Sequence, residues 1–252
     1  MIIKDVEVEE EIETNSDESF SAPNLESAEG IYAYYAKNFF APKLEKACDI
    51  CVRSVKKLSV PKLKEARQIY AQSAKTFFVP KLKRADNIYA KSAKRFSAPK
   101  LETAWNINAY SVEKFSAPKL KKAQSIYAES AKKFSVPKLE EGEGIWASST
   151  KTFSTPNLIK AYNIFAGSAK AFQTPKLETA WNINAYSVEK FSAPNLKEAW
   201  DIFADSAKSF SVPNLKEAWD IFADSAKSFL APKLKKQMRY GQNQLDVFLL
   251  LS

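Results

Sequence analysis

Apolar residues return along the chain at a fixed interval of 19 residues. Beginning at Phe20, each repeat places phenylalanine at position 1, leucine at position 6, isoleucine at position 12 and alanine at positions 9 and 14, with few exceptions. The repeat recurs eleven times without insertion or deletion and then begins a twelfth copy. A unit this short cannot enclose a core of its own, so neighbouring copies must stack on one another. The pattern therefore predicts a solenoid.

The spacing within the repeat favours strands over helices. Positions 12, 14 and 16 are nearly constant and small or apolar, whereas positions 13 and 15 vary, which is the alternation of a strand with one buried face. On a helical wheel, position 13 would lie inside the apolar stripe although it accommodates asparagine. We predict a mainly β, right-handed coil of about eleven rungs, one per repeat. The alternative is an α-solenoid with one short helix per repeat, which the alanine content and the proline at position 4 favour.

The coil predicts a place for each position of the repeat. Positions 1, 6, 9, 12 and 14 should point inward, with like side chains stacked between rungs about 4.8 Å apart. The serines at position 16, such as Ser73 and Ser92, should be buried polar groups that bond to neighbouring backbone. The prolines at position 4, such as Pro80, cannot donate to a sheet ladder and should mark a corner. Positions 10, 13 and 15 then face outward.

Three segments follow from the repeat and the charge. Residues 1–19 hold eight acidic residues against one lysine, a net charge of −7, which predicts an acidic cap or edge strand. Residues 20–234 are the repeat solenoid. Residues 235–252 depart from the repeat at Gln237 and should form a cap or a strand that pairs with a partner, and the apolar stretch within 245–252 suggests a homodimer.

The run from Pro23 to Ala33 resembles a known repeat. Its sequence, Pro-Asn-Leu-Glu-Ser-Ala-Glu-Gly-Ile-Tyr-Ala, is similar to the core Pro-Asn-Leu-x-x-[Val/Ala]-x-Gly-x-x-[Ile/Ala] of leucine-rich repeats in receptor L domains, fungal cell-wall proteins and bacterial surface proteins. The resemblance covers residues 20–234, although the repeat here is shorter and the turn glycine before the strand remains only at Gly30 and Gly144. It implies a nearly all-β coil and a surface for binding or adhesion.

Composition argues against catalysis. The chain has 38 basic and 29 acidic residues, a net charge of +9, no histidine and two cysteines. The pair Cys48-x-x-Cys51 lacks the further ligands that zinc requires, and no nucleophile–base pair or phosphate-binding glycine loop is recognisable. We predict no enzyme activity, no cofactor and no metal. No secretory signal or membrane span is recognisable, which suggests a cytoplasmic protein or delivery without a signal peptide.

Aromatic residues at positions 10 and 13 form a candidate binding surface. Aligned exposed rings can stack on sugars or bases or anchor a protein partner, or they can serve only as cross-strand pairs that stabilise the sheet. The candidate residues are Tyr32, Tyr70, Tyr89, Trp105, Tyr127, Trp146, Phe165, Trp181, Trp200, Phe203, Trp219 and Phe222.

Lysines at position 18 form a candidate basic stripe. It could follow a phosphate backbone or an anionic surface polymer, or it could be a solvated face that resists aggregation. The stripe consists of Lys37, Lys56, Lys75, Lys94, Lys132, Lys151, Lys170, Lys208 and Lys227. The leading functional hypothesis is a binding or adhesion scaffold for a protein or glycan. The alternatives are a polyanion-binding rod and a structural or self-assembling spacer.

Overall fold

The computed structural model describes residues 2–4, 7–15 and 17–240. These residues form parallel β-strands wound into about twelve turns, and they contain no helix. The prediction of an all-β solenoid is confirmed and the helical alternative is wrong. Internal packing divides the chain into two compact units, Met1–Ala131 and Lys132–Ser252, called the N-terminal and C-terminal units below.

Each repeat contributes one long strand over positions 8–13 and one short strand that begins at position 19 and ends at position 2 of the next repeat. The long strands, with β1 preceding the first repeat, are β1 (Glu7–Glu13), β3 (Ser27–Tyr32), β5 (Lys46–Cys51), β7 (Glu65–Tyr70), β9 (Arg84–Tyr89), β11 (Thr103–Asn108), β13 (Lys122–Tyr127), β15 (Glu141–Trp146), β17 (Lys160–Phe165), β19 (Thr179–Asn184), β21 (Glu198–Phe203), β23 (Glu217–Phe222) and β25 (Lys236–Tyr240). The short strands are β2 (Ser19–Ser21), β4 (Asn38–Phe40), β6 (Lys57–Ser59), β8 (Thr76–Phe78), β10 (Arg95–Ser97), β12 (Lys114–Ser116), β14 (Lys133–Ser135), β16 (Thr152–Ser154), β18 (Ala171–Gln173), β20 (Lys190–Ser192), β22 (Ser209–Ser211) and β24 (Ser228–Leu230).

Within each unit the strands pair in parallel with a register of one full repeat. In the N-terminal unit the long strands follow the order β1-β3-β5-β7-β9-β11-β13, and the short strands form the groups β2-β4-β6 and β8-β10-β12. In the C-terminal unit the orders are β15-β17-β19-β21-β23-β25 and β16-β18-β20-β22-β24. Identical positions therefore face each other, as where Ile88 pairs with Ile107 and Ile202 with Ile221.

The interior of each unit is a set of files of like side chains. Phe96 stacks between Phe77 and Phe115 with ring centroids 5.0 and 4.7 Å apart, and Phe191 stacks between its counterparts in the same way. The side chains at positions 1, 6, 9, 12 and 14 are almost all buried, which confirms their predicted direction. Positions 3 and 17, represented by Val79 and Ala93, are also buried and were not predicted.

Proline marks a tight turn, as predicted. The Leu25 N–H donates to the Ala22 carbonyl across a four-residue turn that holds Pro23 in its second place. This is the place where the fixed φ of proline suits a type I turn. No residue of the described chain has a positive φ, so none of these turns needs glycine. The fold can therefore be rich in turns although the chain has only five glycines.

Two predictions about small residues are wrong. Ser73 and Ser92 are exposed because position 16 lies in the second turn of the repeat, where the Ser73 N–H donates to the Arg53 carbonyl and the side chain points outward. Gly30 and Gly144 lie inside strands β3 and β15 rather than in turns. Each is overlaid by the aromatic ring two residues later, and a Cβ atom would collide with that ring.

The ends of the chain are described in part. Strand β1 comes from the acidic segment and pairs in parallel with β3, so it forms an edge strand of the N-terminal unit. Strand β25 pairs with β23. Residues 241–252, and with them the predicted dimer segment 245–252, lie outside the described residues.

Candidate functional site

A groove crosses strands β17, β19, β21 and β23 of the C-terminal unit. Its volume is about 400 Å³, which lies within the range of small-ligand pockets. Alanines at position 9 form its floor, position 10 forms one wall and position 8 forms the other. The lining residues are Ala161, Ala180 and Ala199 on the floor, Tyr162, Trp181 and Trp200 on the aromatic wall, and Lys160, Thr179, Glu198 and Glu217 on the opposite wall.

Local strand geometry directs position 10 outward. Along β19 and β21, Ala180 pairs with Ala199 and Asn182 pairs with Asp201. The residues between them at position 10, Trp181 and Trp200, do not form a backbone pair. Positions 9 and 12 both point inward, so two successive residues between them face away from the core. Because the alanine at position 9 points inward, mainly backbone lies between the outward side chains of positions 8 and 10, and this leaves a depression beside the large aromatic side chains at position 10.

The aromatic wall is a stacked ladder. The ring centroids of Trp181 and Trp200 are 5.6 Å apart, and those of Trp200 and Trp219 are 4.8 Å apart with nearly parallel ring planes. Tyr162 is tilted against Trp181 at 5.4 Å. The three tryptophans are still 55%, 46% and 38% exposed in chain order. Because the faces cover one another, the ladder offers mainly ring edges to solvent.

Trp105 lies apart from this ladder in the N-terminal unit. It is 60% exposed, and its neighbours at position 10 are Asp86 and Gln124. The predicted aromatic surface is therefore not one continuous strip. The structure brings together Trp181, Trp200 and Trp219, with Tyr162 as an additional member.

Aromatic residues at position 13 form half-buried stacked pairs. The ring centroids are 4.6 Å apart for Tyr70 and Tyr89 and 4.9 Å apart for Phe203 and Phe222. Another stacked pair is Trp146 with Phe165 at 5.6 Å. The faces of these rings are used within the sheet, which agrees with the stabilising role of cross-strand pairs.

Tyr32, the first aromatic residue at position 13, faces a carboxylate cluster. Its hydroxyl donates to Glu11 at 3.2 Å and also lies 3.4 Å from Asp49. Burial and the negative charge of Asp49 raise the pKa of Tyr32. The Arg67 guanidinium donates to both oxygens of Asp49, at 3.1 and 2.8 Å, and this contact raises the pKa of Arg67 further above neutrality. The cluster ties together strands β1, β3, β5 and β7.

The position-18 lysines occupy one corner of the coil and are exposed. Lys37 pairs with Asp17 at 3.6 Å and Lys208 with Glu189 at 3.5 Å, so part of the predicted stripe is neutralised. In the N-terminal unit, Lys56, Lys75 and Lys94 follow one another without forming an ion pair to any described residue.

A second lysine file at position 5 differs between the units. In the N-terminal unit it begins with Asn24 and continues as five successive lysines, Lys43, Lys62, Lys81, Lys100 and Lys119. In the C-terminal unit asparagine replaces lysine at several rungs. There the side chain of Asn157 donates to the Pro137 carbonyl at 2.8 Å and accepts a hydrogen bond from Lys176 at 2.8 Å. The repeat itself contained this signal, since lysine and asparagine alternate at a fixed position.

The cysteine thiols are poor nucleophiles. Burial, followed by the charge of Asp49, raises the pKa of Cys51 to about 11, and burial raises that of Cys48. Both thiols are therefore protonated at neutral pH, which lowers their reactivity. Across residues 2–4, 7–15 and 17–240, no three potential metal-ligating side chains come together.

Comparisons with protein families, with curated proteins and with solved structures found no match to this chain. In the part of the chain that the structure describes, no helix is long and apolar enough to cross a membrane.

Proposed function

We propose that this protein is a non-enzymatic binding scaffold whose C-terminal unit holds a segment of a protein partner in the tryptophan groove. The observation that carries the proposal is the exposed ladder of Trp181, Trp200 and Trp219 beside an alanine-floored groove. Tryptophan is among the residues most enriched at energetic centres of protein interfaces. A solenoid supports such a surface on a rigid, repeated backbone.

The orientation of the rings favours a protein partner over a glycan. A sugar ring binds tryptophan through the face of the indole, but the faces of Trp200 are covered by the neighbouring rings. Ring edges carry partial positive charge and pair with the faces of other aromatic rings. We therefore expect the partner to insert aromatic or other apolar side chains against the ladder.

The opposite wall adds a charge preference. Lys160 lies at one end of the groove, and Glu198 and Glu217 lie towards the other. The Lys160 ammonium is 5.8 Å from the centre of the Tyr162 ring, so the positive end is also aromatic. A partner segment with an acidic residue near Lys160 and a basic residue near Glu198 would match this polarity.

The resemblance of the repeat to leucine-rich repeats also supports a binding role. We propose that the chain is related to that family, whose members present a recognition surface on the coil. The parallel β coil is the feature that both would share.

Selection of peptides from a displayed library on the immobilised protein tests the proposal. The best peptide is then measured by calorimetry against the wild type, Trp200→Ala and the control Trp105→Ala. We expect Trp200→Ala to weaken binding at least about tenfold and Trp105→Ala to leave it unchanged. A glycan array screened in parallel tests the alternative ligand class. The proposal is overturned if a glycan binds and Trp200→Ala abolishes that binding, or if the selected peptides bind Trp200→Ala as tightly as the wild type.

A further inference from the structure

Two phenylalanines stand on the outward face of the short strands in the N-terminal unit. Phe40 ends β4 and Phe78 ends β8, and their side chains are 46% and 51% exposed. Their neighbours at the same position are serines: Phe40 pairs with Ser21 and Ser59, and Phe78 pairs with Ser97. Neither phenylalanine stacks on another ring among the described residues. Unlike the tryptophan ladder, these rings keep their faces available to a ligand.

Basic residues border the two rings on the same face. Side chains two residues apart on a strand point the same way, so position 19 shares the outward face with Phe40 and Phe78. On the strands of the two phenylalanines this position holds Asn38 and Thr76, and on the neighbouring strands it holds the exposed basic residues Lys57, Arg95 and Lys114. The exposed lysines Lys56, Lys75 and Lys94 stand one residue earlier, at the adjoining corner.

The position-5 lysines border the face on its other side. Lys62, Lys81, Lys100 and Lys119 are all exposed and follow one another at successive rungs, about 4.8 Å apart. Like charges at this spacing repel each other. A ligand with regularly spaced negative charges would relieve that repulsion.

Among the repeats, positive charge is concentrated in those of the N-terminal unit. Residues 20–131 contain 21 basic and 9 acidic residues, a net of +12, whereas residues 132–252 contain 16 and 12, a net of +4. The run of five lysines and the free phenylalanine faces therefore occur together in the more basic set of repeats, and the acidic segment 1–19, with its net of −7, brings the whole N-terminal unit to +5.

We propose that the N-terminal unit binds single-stranded nucleic acid across the outward face of its short strands. Flexible strands bind proteins through a basic surface that follows the phosphates and through aromatic rings that stack on unpaired bases. Phe40 and Phe78 supply the stacking faces, and the lysines at positions 5, 18 and 19 supply the positive charge. A duplex keeps its bases stacked inside, and a sulfated polysaccharide has no planar base, so neither uses both features.

The binding should tolerate many sequences. Lysine is abundant on this face and Arg95 is its one arginine, whereas readout of base edges depends on bidentate side chains at fixed positions. This inference is independent of the tryptophan groove, because it concerns the other unit and a different strand layer.

Fluorescence anisotropy with a labelled oligothymidylate tests the proposal. A double variant carries Phe40→Ser and Phe78→Ser. Serine already occupies this position on the neighbouring rungs, so the variant should keep the fold, which circular dichroism can verify. We expect this double variant to bind at least about tenfold more weakly. Trp200→Ala should bind like the wild type, which separates this test from that of the groove.

A lysine variant tests the electrostatic part. Lys62→Asn, Lys81→Asn and Lys100→Asn together introduce the residue found at the same position of the C-terminal unit, and Lys176→Asn is the matched control. We expect the triple variant to reduce the slope of log affinity against log salt by about 2 and the control to leave it unchanged. The proposal is overturned if the oligonucleotide does not bind at low salt, if the phenylalanine variant binds normally, or if duplex DNA or heparin competes as well as the single strand.

Discussion

The hexapeptide Thr-Ala-Trp-Asn-Ile-Asn occurs as β11 in the N-terminal unit and as β19 in the C-terminal unit. Both copies form the same strand with the same buried alanine and isoleucine. Trp105 nevertheless stands alone, whereas Trp181 is flanked by Tyr162 and Trp200 and lines a groove. The environment of a side chain in this coil is set by the residues 19 places before and after it.

The asparagines of the two hexapeptides show the converse case, in which identical neighbours produce identical contacts. Asn106 donates its side-chain amide to Asn87, and Asn182 donates to Asn163, both at 2.8 Å. Here the residues one repeat earlier are identical, and so is the contact. Equivalent positions become equivalent sites only when the neighbouring rungs agree.

The largest expected effect compares an inner rung with the last one. Phe96→Ala should lower the free energy of unfolding by about 3–5 kcal/mol, because the ring is buried between two others. Phe229→Ala should cost far less, since Phe229 is 42% exposed and stacks on Phe210 alone among described residues. Denaturant unfolding measures both. Phe96→Leu introduces the residue that Leu58 already supplies at the same position, and its cost should fall between the two. Equal costs for Phe96→Ala and Phe229→Ala would contradict the stacked core.

The next largest effect compares a glycine that lies under an aromatic ring with one that does not. Gly144→Ala places a methyl group against the Trp146 ring, and such overpacking should cost about 1–3 kcal/mol. Gly167→Ala is the control, because its Cβ would lie an ordinary 3.7 Å from Asn184. Thermal unfolding distinguishes the two variants. Adding Trp146→Ala should restore the stability lost in Gly144→Ala, and failure to do so would show that the backbone rather than the ring resists the methyl group.

A smaller effect compares the loss of the same tryptophan from the two copies of the hexapeptide. Trp181→Ala should destabilise the fold by about 1–2 kcal/mol, because it removes contacts with two aromatic rings. Trp105→Ala should stay within about 0.5 kcal/mol, since Trp105 has no aromatic neighbour at its position. Chemical denaturation of both variants measures the difference. Equal losses would mean that the stacked ladder contributes nothing to stability.

The smallest effect depends on pH and concerns the polar residues at position 11, where Asp201 pairs with Asn182. Asp201 stands where the asparagine file ends, and desolvation followed by the charge of Asp220 raises its pKa. A carboxyl group whose pKa is raised by folding favours the fold while protonated and disfavours it once pH rises through that pKa. Asp201→Asn should therefore stabilise the protein by about 1 kcal/mol at pH 7, and the gain should fade towards pH 3. A gain that is the same at both pH values would contradict the electrostatic explanation.

Sequence periodicity predicted most of the core because a solenoid converts a recurring position into a file. Phe77, Leu82 and Ile88 are buried as expected. The errors concern the corners: the alternation through position 16 suggested a strand that in fact ends at position 13. Turn residues such as Val79 were missed as core because alternation does not describe the inward bend of a turn.

The candidate surfaces were predicted less completely. Trp181, Trp200 and Trp219 were predicted as part of a surface that also included Trp105, but the groove beside them depends on the local register that leaves position 10 unpaired. Phe40 and Phe78 were overlooked, although each replaces a serine at an outward position. Departures from the consensus were therefore as informative as the consensus itself.

The sequence alone determined the repeat, the parallel stacking of like on like and the inward files, because each follows from a fixed period and the burial of apolar surface. Only the tertiary structure decided where the strands end, which aromatic faces are consumed by stacking and which remain free. Those properties depend on contacts between residues 19 positions apart and on the path of the turns. Periodicity places such residues in one file, but the distance and tilt between their side chains arise only when the rungs pack.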